Sequence, residues 1–248
     1  MNLAQAFGLS LPARVAVVGA GGKSTILLQL ARQLEGIVWV TTTTHLGADQ
    51  AALADQHVVV TSPHELALAS LLGKKVSAIT GPATPERRIG APAPEVMARL
   101  MQLADDKRIS VLVEADGSRM RPIKAPAAHE PAIPAWADVV VVVVGLSALG
   151  KPLSSQWVHR PERFAEVSGL KPGEPITVWS VRAALLHPLG GLKGIVAGAR
   201  TIAVLNQADT EVLRDEGEAI ARDLLRGGYE GVLIASLEGS PESGLWIS

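Results

Sequence analysis

The chain has 248 residues, 23 basic against 24 acidic, 48% hydrophobic and none of them cysteine. That length suits an α/β domain with a core of its own, and the near-balanced charge gives no electrostatic reason to expect a nucleic-acid or membrane surface. The missing thiols exclude disulfides, cysteine-ligated zinc and thiol catalysis. No charge-free apolar run approaches the ~20 residues a membrane helix needs. The opening MNLAQAFGLSLPAR lacks a basic segment followed by an apolar core, so a cytoplasmic setting is expected.

Residues 15–18 read as a buried strand, and Lys23 opens a helix to about residue 34. A second β-branched run over 37–42 leads into TTTTH, and 57–60 form a short strand. SPHELALASLLG follows as a helix capped by Ser62 with Pro63 in its first position. A strand over 75–80 runs into GPATPERRIGAPAP, a surface loop too rich in proline and charge for regular structure. PEVMARLMQLADDK is helical in pattern, and ISVLVEAD is a buried strand ending in carboxylates. The connection over 117–137 has the length that usually carries function. Six valines at 139–144 suit a central parallel strand buried on both faces. Over 145–198, helices near 160–167 and 176–187 with weak strand signals predict a small helical insertion. TIAVLN, TEVLRDEGEAIARDLLRGG and GVLIAS then give strand, amphipathic helix and strand. Alternation of this kind predicts one α/β domain over 1–248: a doubly wound, mostly parallel sheet in a P-loop NTPase-like three-layer sandwich, with ligands at the carboxyl ends of the strands.

Between the first strand and its helix stands GAGGKST, which reads as a phosphate cradle. Gly19, Ala20, Gly21 and Gly22 allow backbone N–H groups to converge on an anion at a helix N-terminus. Lys23 would reach the phosphates with a solvated ammonium, Ser24 would ligate Mg²⁺ and Thr25 continues the motif. The ligand expected is ATP or GTP. Only two residues separate Gly19 from Gly22, and this shortened form is similar to the loop of the Mur-type ATP-dependent ligases. A dinucleotide turn fails, because its third glycine falls at Ser24 and the second strand ends in threonines rather than an acid.

Glu114 and Asp116 reach the same sheet edge two residues apart, so they act as a pair that orients water or holds the metal; an Asp-Gly turn capping a helix is the plainer reading. VLNQAD resembles the N-K-x-D segment of GTP-binding proteins, with Asp209 for the base and Asn206 to brace the loop; Asp209 or Thr210 capping the next helix fits the spacing equally. Thr43 is a candidate metal ligand and His45 a candidate contact to a second ligand, although four threonines also simply make a strand. In SRMRPIKAPAAHEP, Arg119, Arg121, Lys124 and Glu130 could clamp a second, anionic ligand, with His129 a candidate acid or base; a solvated basic loop is the alternative. His57, His64, His159 and His187 are scattered without metal-ligand spacing.

The four blocks VGAGGKST, VTTTTH, VEADGSRMRPIKAPAAHEP and VLNQAD, in that order, resemble the YqeC family of selenium-dependent molybdenum hydroxylase accessory proteins. The resemblance implies a role in maturing a selenium-containing molybdenum cofactor. Its partners would be a molybdopterin-type cofactor, a molybdenum hydroxylase or a selenium carrier. It nominates residues 19–25, 42–45 and 114–119 together with Lys124, His129, Glu130, Asn206 and Asp209. Gln207 departs from the family's lysine, and Met120 stands where a small residue is usual.

Overall fold

The computed structural model describes residues 1–68, 73–84, 88–237 and 244–248. Among these, nine strands form one sheet: β1 (Arg14–Gly19), β2 (Val38–Thr42), β3 (Gln56–Val59), β4 (Val76–Thr80), β5 (Ser110–Glu114), β6 (Val139–Gly145), β7 (Arg200–Asn206), β8 (Gly231–Ile234) and β9 (Leu245–Ile247). Their spatial order is β9-β8-β7-β6-β1-β5-β2-β4-β3, parallel except for the edge strand β9.

The valine run shows why the sheet has helices on both sides. Side chains alternate along a strand, so Val140, Val142 and Val144 join one core with Phe164, Val181 and Ile220, while Val139, Val141 and Val143 join another with Ile26, Leu27 and Leu30. The helix Lys23–Gln33 covers the second face, and Pro161–Ser168, Val178–Leu186 and Glu211–Arg226 cover the first. Pro94–Asp106 lies on that first face beyond β5, its Leu100 packed with Val111 and Trp39. The result is three layers. The helices expected as an insertion over 145–198 belong to the same apolar core as β6 and β7, because Phe164, Val167, Val181 and Leu185 pack directly into it.

Chain direction reverses around the centre. From β1 the chain moves toward β2 across β5, and from β6 it moves the opposite way to β7. The carboxyl ends of these adjacent strands therefore flank the crevice where open parallel sheets bind ligands.

Element bounds fall close to expectation, with short strands added. Ser62 accepts the Glu65 N–H at 3.3 Å and the helix runs Pro63–Leu68, the rest of that expected helix falling outside the described residues. The proline-rich stretch contains a short strand, Ile89–Gly90, paired with His45–Leu46. Likewise, Ile123–Lys124 in the long connection pairs with Val158–His159. Edge strand β9 carries no sequence signal of its own; it is held by Trp246, whose ring lies where a side chain on Gly231 would project and 5.3 Å from the Phe7 ring.

Candidate functional site

β1 ends at Gly19 (φ 98°), where a Cβ would stand 2.1 Å from the Val143 carbonyl oxygen of β6. Gly22 (φ 126°) is the N-cap of the next helix, and a Cβ there would meet the Asn206 amide at 2.3 Å. Neither site admits another residue. Buried Asn206 closes the turn from β7: its Nδ2 donates to the Gly21 carbonyl at 2.7 Å and its Oδ1 accepts the Leu237 N–H at 3.0 Å.

The N–H groups of the turn divide in two. Ala20 donates to the Val143 carbonyl at 2.8 Å and Gly19 to both Asp116 oxygens at 3.1 and 3.0 Å, so these two expected cradle donors are already engaged. The Gly21 and Gly22 N–H groups have no partner among the described residues, and the first helical turn behind them has no side-chain cap. Thr25 is half-buried in that turn.

Lys23 departs from expectation. Its ammonium is not solvated: the residue is 5% exposed, with Nζ 3.6 Å from Glu114, 3.5 Å from Asp116 and 3.3 Å from the Ser118 hydroxyl. Two carboxylates converge on the one cation because the chain after β5 turns back over the glycine loop. The Ser24 hydroxyl donates to Glu114 Oε2 at 2.7 Å. Burial pushes the Glu114 carboxyl up, against the pull of Lys23 and Ser24.

From Asp116 an alternating chain of charges runs outward. Lys124, its side chain 3% exposed, sits 2.8 Å from Asp116 Oδ2 and 2.8 Å from Glu130 Oε2. Arg160 then grips Glu130 with two bonds of 2.7 and 2.9 Å. Burial opposes ionisation of Glu130, but Arg160 and Lys124 outweigh it and hold its carboxyl down at about 2. Beyond Glu130 and Arg160 opens a cleft of about 380 Å³ bordered also by Thr43, Thr44, His45, Arg88, Arg119, His129 and His159.

A family model described as "YqeC protein" matches residues 15–162. The chain is also 30% identical over 239 residues to the protein named "Uncharacterized protein YqeC" of Escherichia coli (strain K12), a match covering 93% of this chain and 90% of that one. The chain belongs to the YqeC family. The family model takes in the glycine turn, both carboxylates and the charge chain out to Arg160, whereas Asn206 and Asp209 lie beyond it.

Several nominated residues stand elsewhere than the sequence suggested. Asp116 accepts the Gly19 N–H on both oxygens and Lys124 on one of them, whereas Glu114 takes the Ser24 hydroxyl. The Thr43 hydroxyl donates to the Ala132 carbonyl at 2.9 Å. His129 is exposed at the cleft, not beside Lys23. Lys124 and Glu130 neutralise each other within the charge chain, while His45, Arg119 and Arg121 do line open space. Asp209 does not cap the last long helix. Thr210 does, accepting the Leu213 N–H at 3.2 Å, and Asp209 accepts from the Ser236 hydroxyl. Gln207 replaces the lysine of the N-K-x-D pattern at φ 60°, with its Oε1 on the Ser147 hydroxyl at 2.6 Å.

Sequence reasoning passed over Arg88 and Arg160 and discounted His159. Only position before a helix-opening proline marked Arg160, which sits at φ 65°. His159, set aside as structural, borders the cleft; burial, then Arg160 and Lys124, push its imidazole down to about 4.

Proposed function

We propose that this protein binds Mg²⁺ with ATP or GTP at the glycine turn and uses the nucleotide as an NTPase or nucleotide-dependent transferase. The observation that carries this reading is the free N–H pair of Gly21 and Gly22 before an uncapped helix, with Lys23 and the Ser24–Glu114 pair beside it. Unpaired N–H groups at a helix start favour an anion. A hydroxyl and a carboxylate from neighbouring elements are the hard oxygen donors Mg²⁺ takes alongside phosphates and water, so Ser24 and Glu114 would hold the ion. It would supply charge neutralisation at the phosphates.

In this reading Lys23 is poised rather than committed. Its carboxylate partners stand at 3.5 and 3.6 Å, longer than a close charge-assisted bond. When Glu114 is neutralised, Lys23 turns to the phosphates, so binding depends strongly on Mg²⁺. Asn206 keeps the turn in shape, and Asp209 would take the base.

The family resemblance supports a role in maturing a selenium-containing molybdenum cofactor. Carrying selenium covalently takes an attacking thiolate, and the chain has no cysteine; its part is nucleotide-driven activation or delivery. Titration with labelled ATP and GTP, with Mg²⁺ or with EDTA, tests the reading, and phosphate release by the isolated protein separates a turning-over enzyme from a nucleotide-gated chaperone. Saturable binding that is much tighter with Mg²⁺ than with EDTA supports the proposal; no binding of either nucleotide overturns it.

A further inference from the structure

The charge chain ends in open space with cations to spare. The 380 Å³ cleft adjoins a second recess of about 400 Å³ lined by Arg119, Arg121, Ser155, His159, Arg160 and Glu162, and the two share Arg119, His159 and Arg160 as their common wall. Together they carry four arginines, Arg88, Arg119, Arg121 and Arg160, against two glutamates, Glu130 and Glu162: a surplus of two positive charges before any histidine protonates. Among the described residues Arg88, Arg119 and Arg121 have no ion pair or hydrogen bond through their guanidinium groups, unlike Arg160. The Thr44 hydroxyl oxygen, at the wall of the first cleft, is buried without a hydrogen-bond partner among the described residues. A buried hydroxyl left unsatisfied costs about 1–3 kcal/mol.

We infer that these joined clefts are a second ligand site, separate from the glycine turn, and that it takes a small molecule bearing a phosphomonoester, with the phosphate against Arg119 and Arg160. A dianion cancels the surplus of two charges, whereas a monocarboxylate leaves one over. Guanidinium forks match phosphate oxygens in bidentate fashion. Thr44, His45, His129 and Ser155 provide polar contacts for the rest of the molecule on either side of the shared wall. Arg119 and Arg160 are held at positive φ, 49° and 65°, conformations that non-glycine residues keep only where the surrounding structure fixes them. His159, neutral in the empty protein, sits on the wall where an arriving dianion would favour its protonation.

The test uses phenyl phosphate and benzoate as matched probes, with inorganic phosphate as a third, titrated into the full chain while the histidine ring resonances are followed by NMR. Phenyl phosphate is expected to move the His129 and His159 rings saturably, at least about tenfold more tightly than benzoate. Saturable binding of inorganic phosphate alone, without phenyl phosphate, would assign the site to free phosphate and overturn the ester. Arg119→Ala/Arg121→Ala is expected to lose the phenyl phosphate response by about tenfold or more while Ser24→Ala keeps it. Equal binding of benzoate overturns the phosphate class. Phenyl phosphate binding that leaves both rings unmoved, or that Ser24→Ala abolishes and the double arginine variant does not, places the anion at the glycine turn and overturns the second site. No saturable response to any probe overturns it as well. Mg²⁺-dependent nucleotide binding, measured separately, can fail without touching this result.

Discussion

The glycine turn and the arginine-lined cleft are joined by one chain of ion pairs yet are opposite in charge state. At the turn every charge has a counter-charge inside the protein: Lys23 lies with Glu114 and Asp116, and Asp116 with Lys124. In the cleft three arginines have none among the described residues. On the proposed reading the turn would have to rearrange to accept phosphate, which would make a divalent ion part of binding, whereas the cleft would accept an anion as it stands. A motif read from sequence shows which groups are present, and only their packing shows which are already satisfied.

The sharpest way to break this contrast is to cut the chain where it is most buried. Lys124→Met leaves Asp116 and Glu130 facing each other without their shared cation, and removing one partner of a buried network costs about 3–5 kcal/mol. Urea unfolding at neutral pH should show a loss of that order. A change below about 1 kcal/mol would mean that the network is solvated and the contrast unfounded.

At the turn, Ser24→Ala should weaken nucleotide binding by about tenfold to a hundredfold in Mg²⁺ and leave binding in EDTA unchanged. Equal weakening in both would make the hydroxyl a phosphate contact and leave the metal elsewhere. Asp209→Asn should remove a preference for GTP over ATP, at a cost of about 1–3 kcal/mol. If the wild type binds both equally, Asp209 serves only Ser236.

How much of this was legible follows from distance along the chain. The turn, its lysine and serine, and the paired carboxylates each stand within a few consecutive residues, so spacing alone placed them at one sheet edge. Burial of Lys23 was not legible, because it depends on the chain after β5 folding back to bring Ser118 and Asp116 over the turn. Arg160 and His159 enter the cleft through a two-residue strand pairing with Ile123–Lys124, too short to leave a pattern. In the valine run, identical residues at every position hid which of them face which layer. Met120, flagged for its size, is 96% exposed at φ 60°, so bulk meets no packing there.

Smaller effects sharpen the cleft side. His159 is held near 4 in the folded chain against 6.5 when free. The unfolded chain therefore takes up its proton first, and stability falls as pH drops from 6.5 toward 4. His159→Asn should flatten that decline in urea midpoints measured across the window; an unchanged slope would show that the imidazole is solvated. Arg119→Ala, removing an exposed cation that is unpaired among the described residues, should shift stability by no more than about 0.5 kcal/mol. A larger loss would mean that Arg119 belongs to the buried network.

The most direct test of the two-site account is a crystal structure with Mg²⁺ and a non-hydrolysable nucleotide. The account predicts phosphates over Gly21 and Gly22, Lys23 turned from Glu114 and Asp116 to a phosphate oxygen, Ser24 and Glu114 at the ion, and Arg119 and Arg160 where they are now. Phosphates lodged against Arg119 and Arg160, with Lys23 still on its two carboxylates, would contradict it.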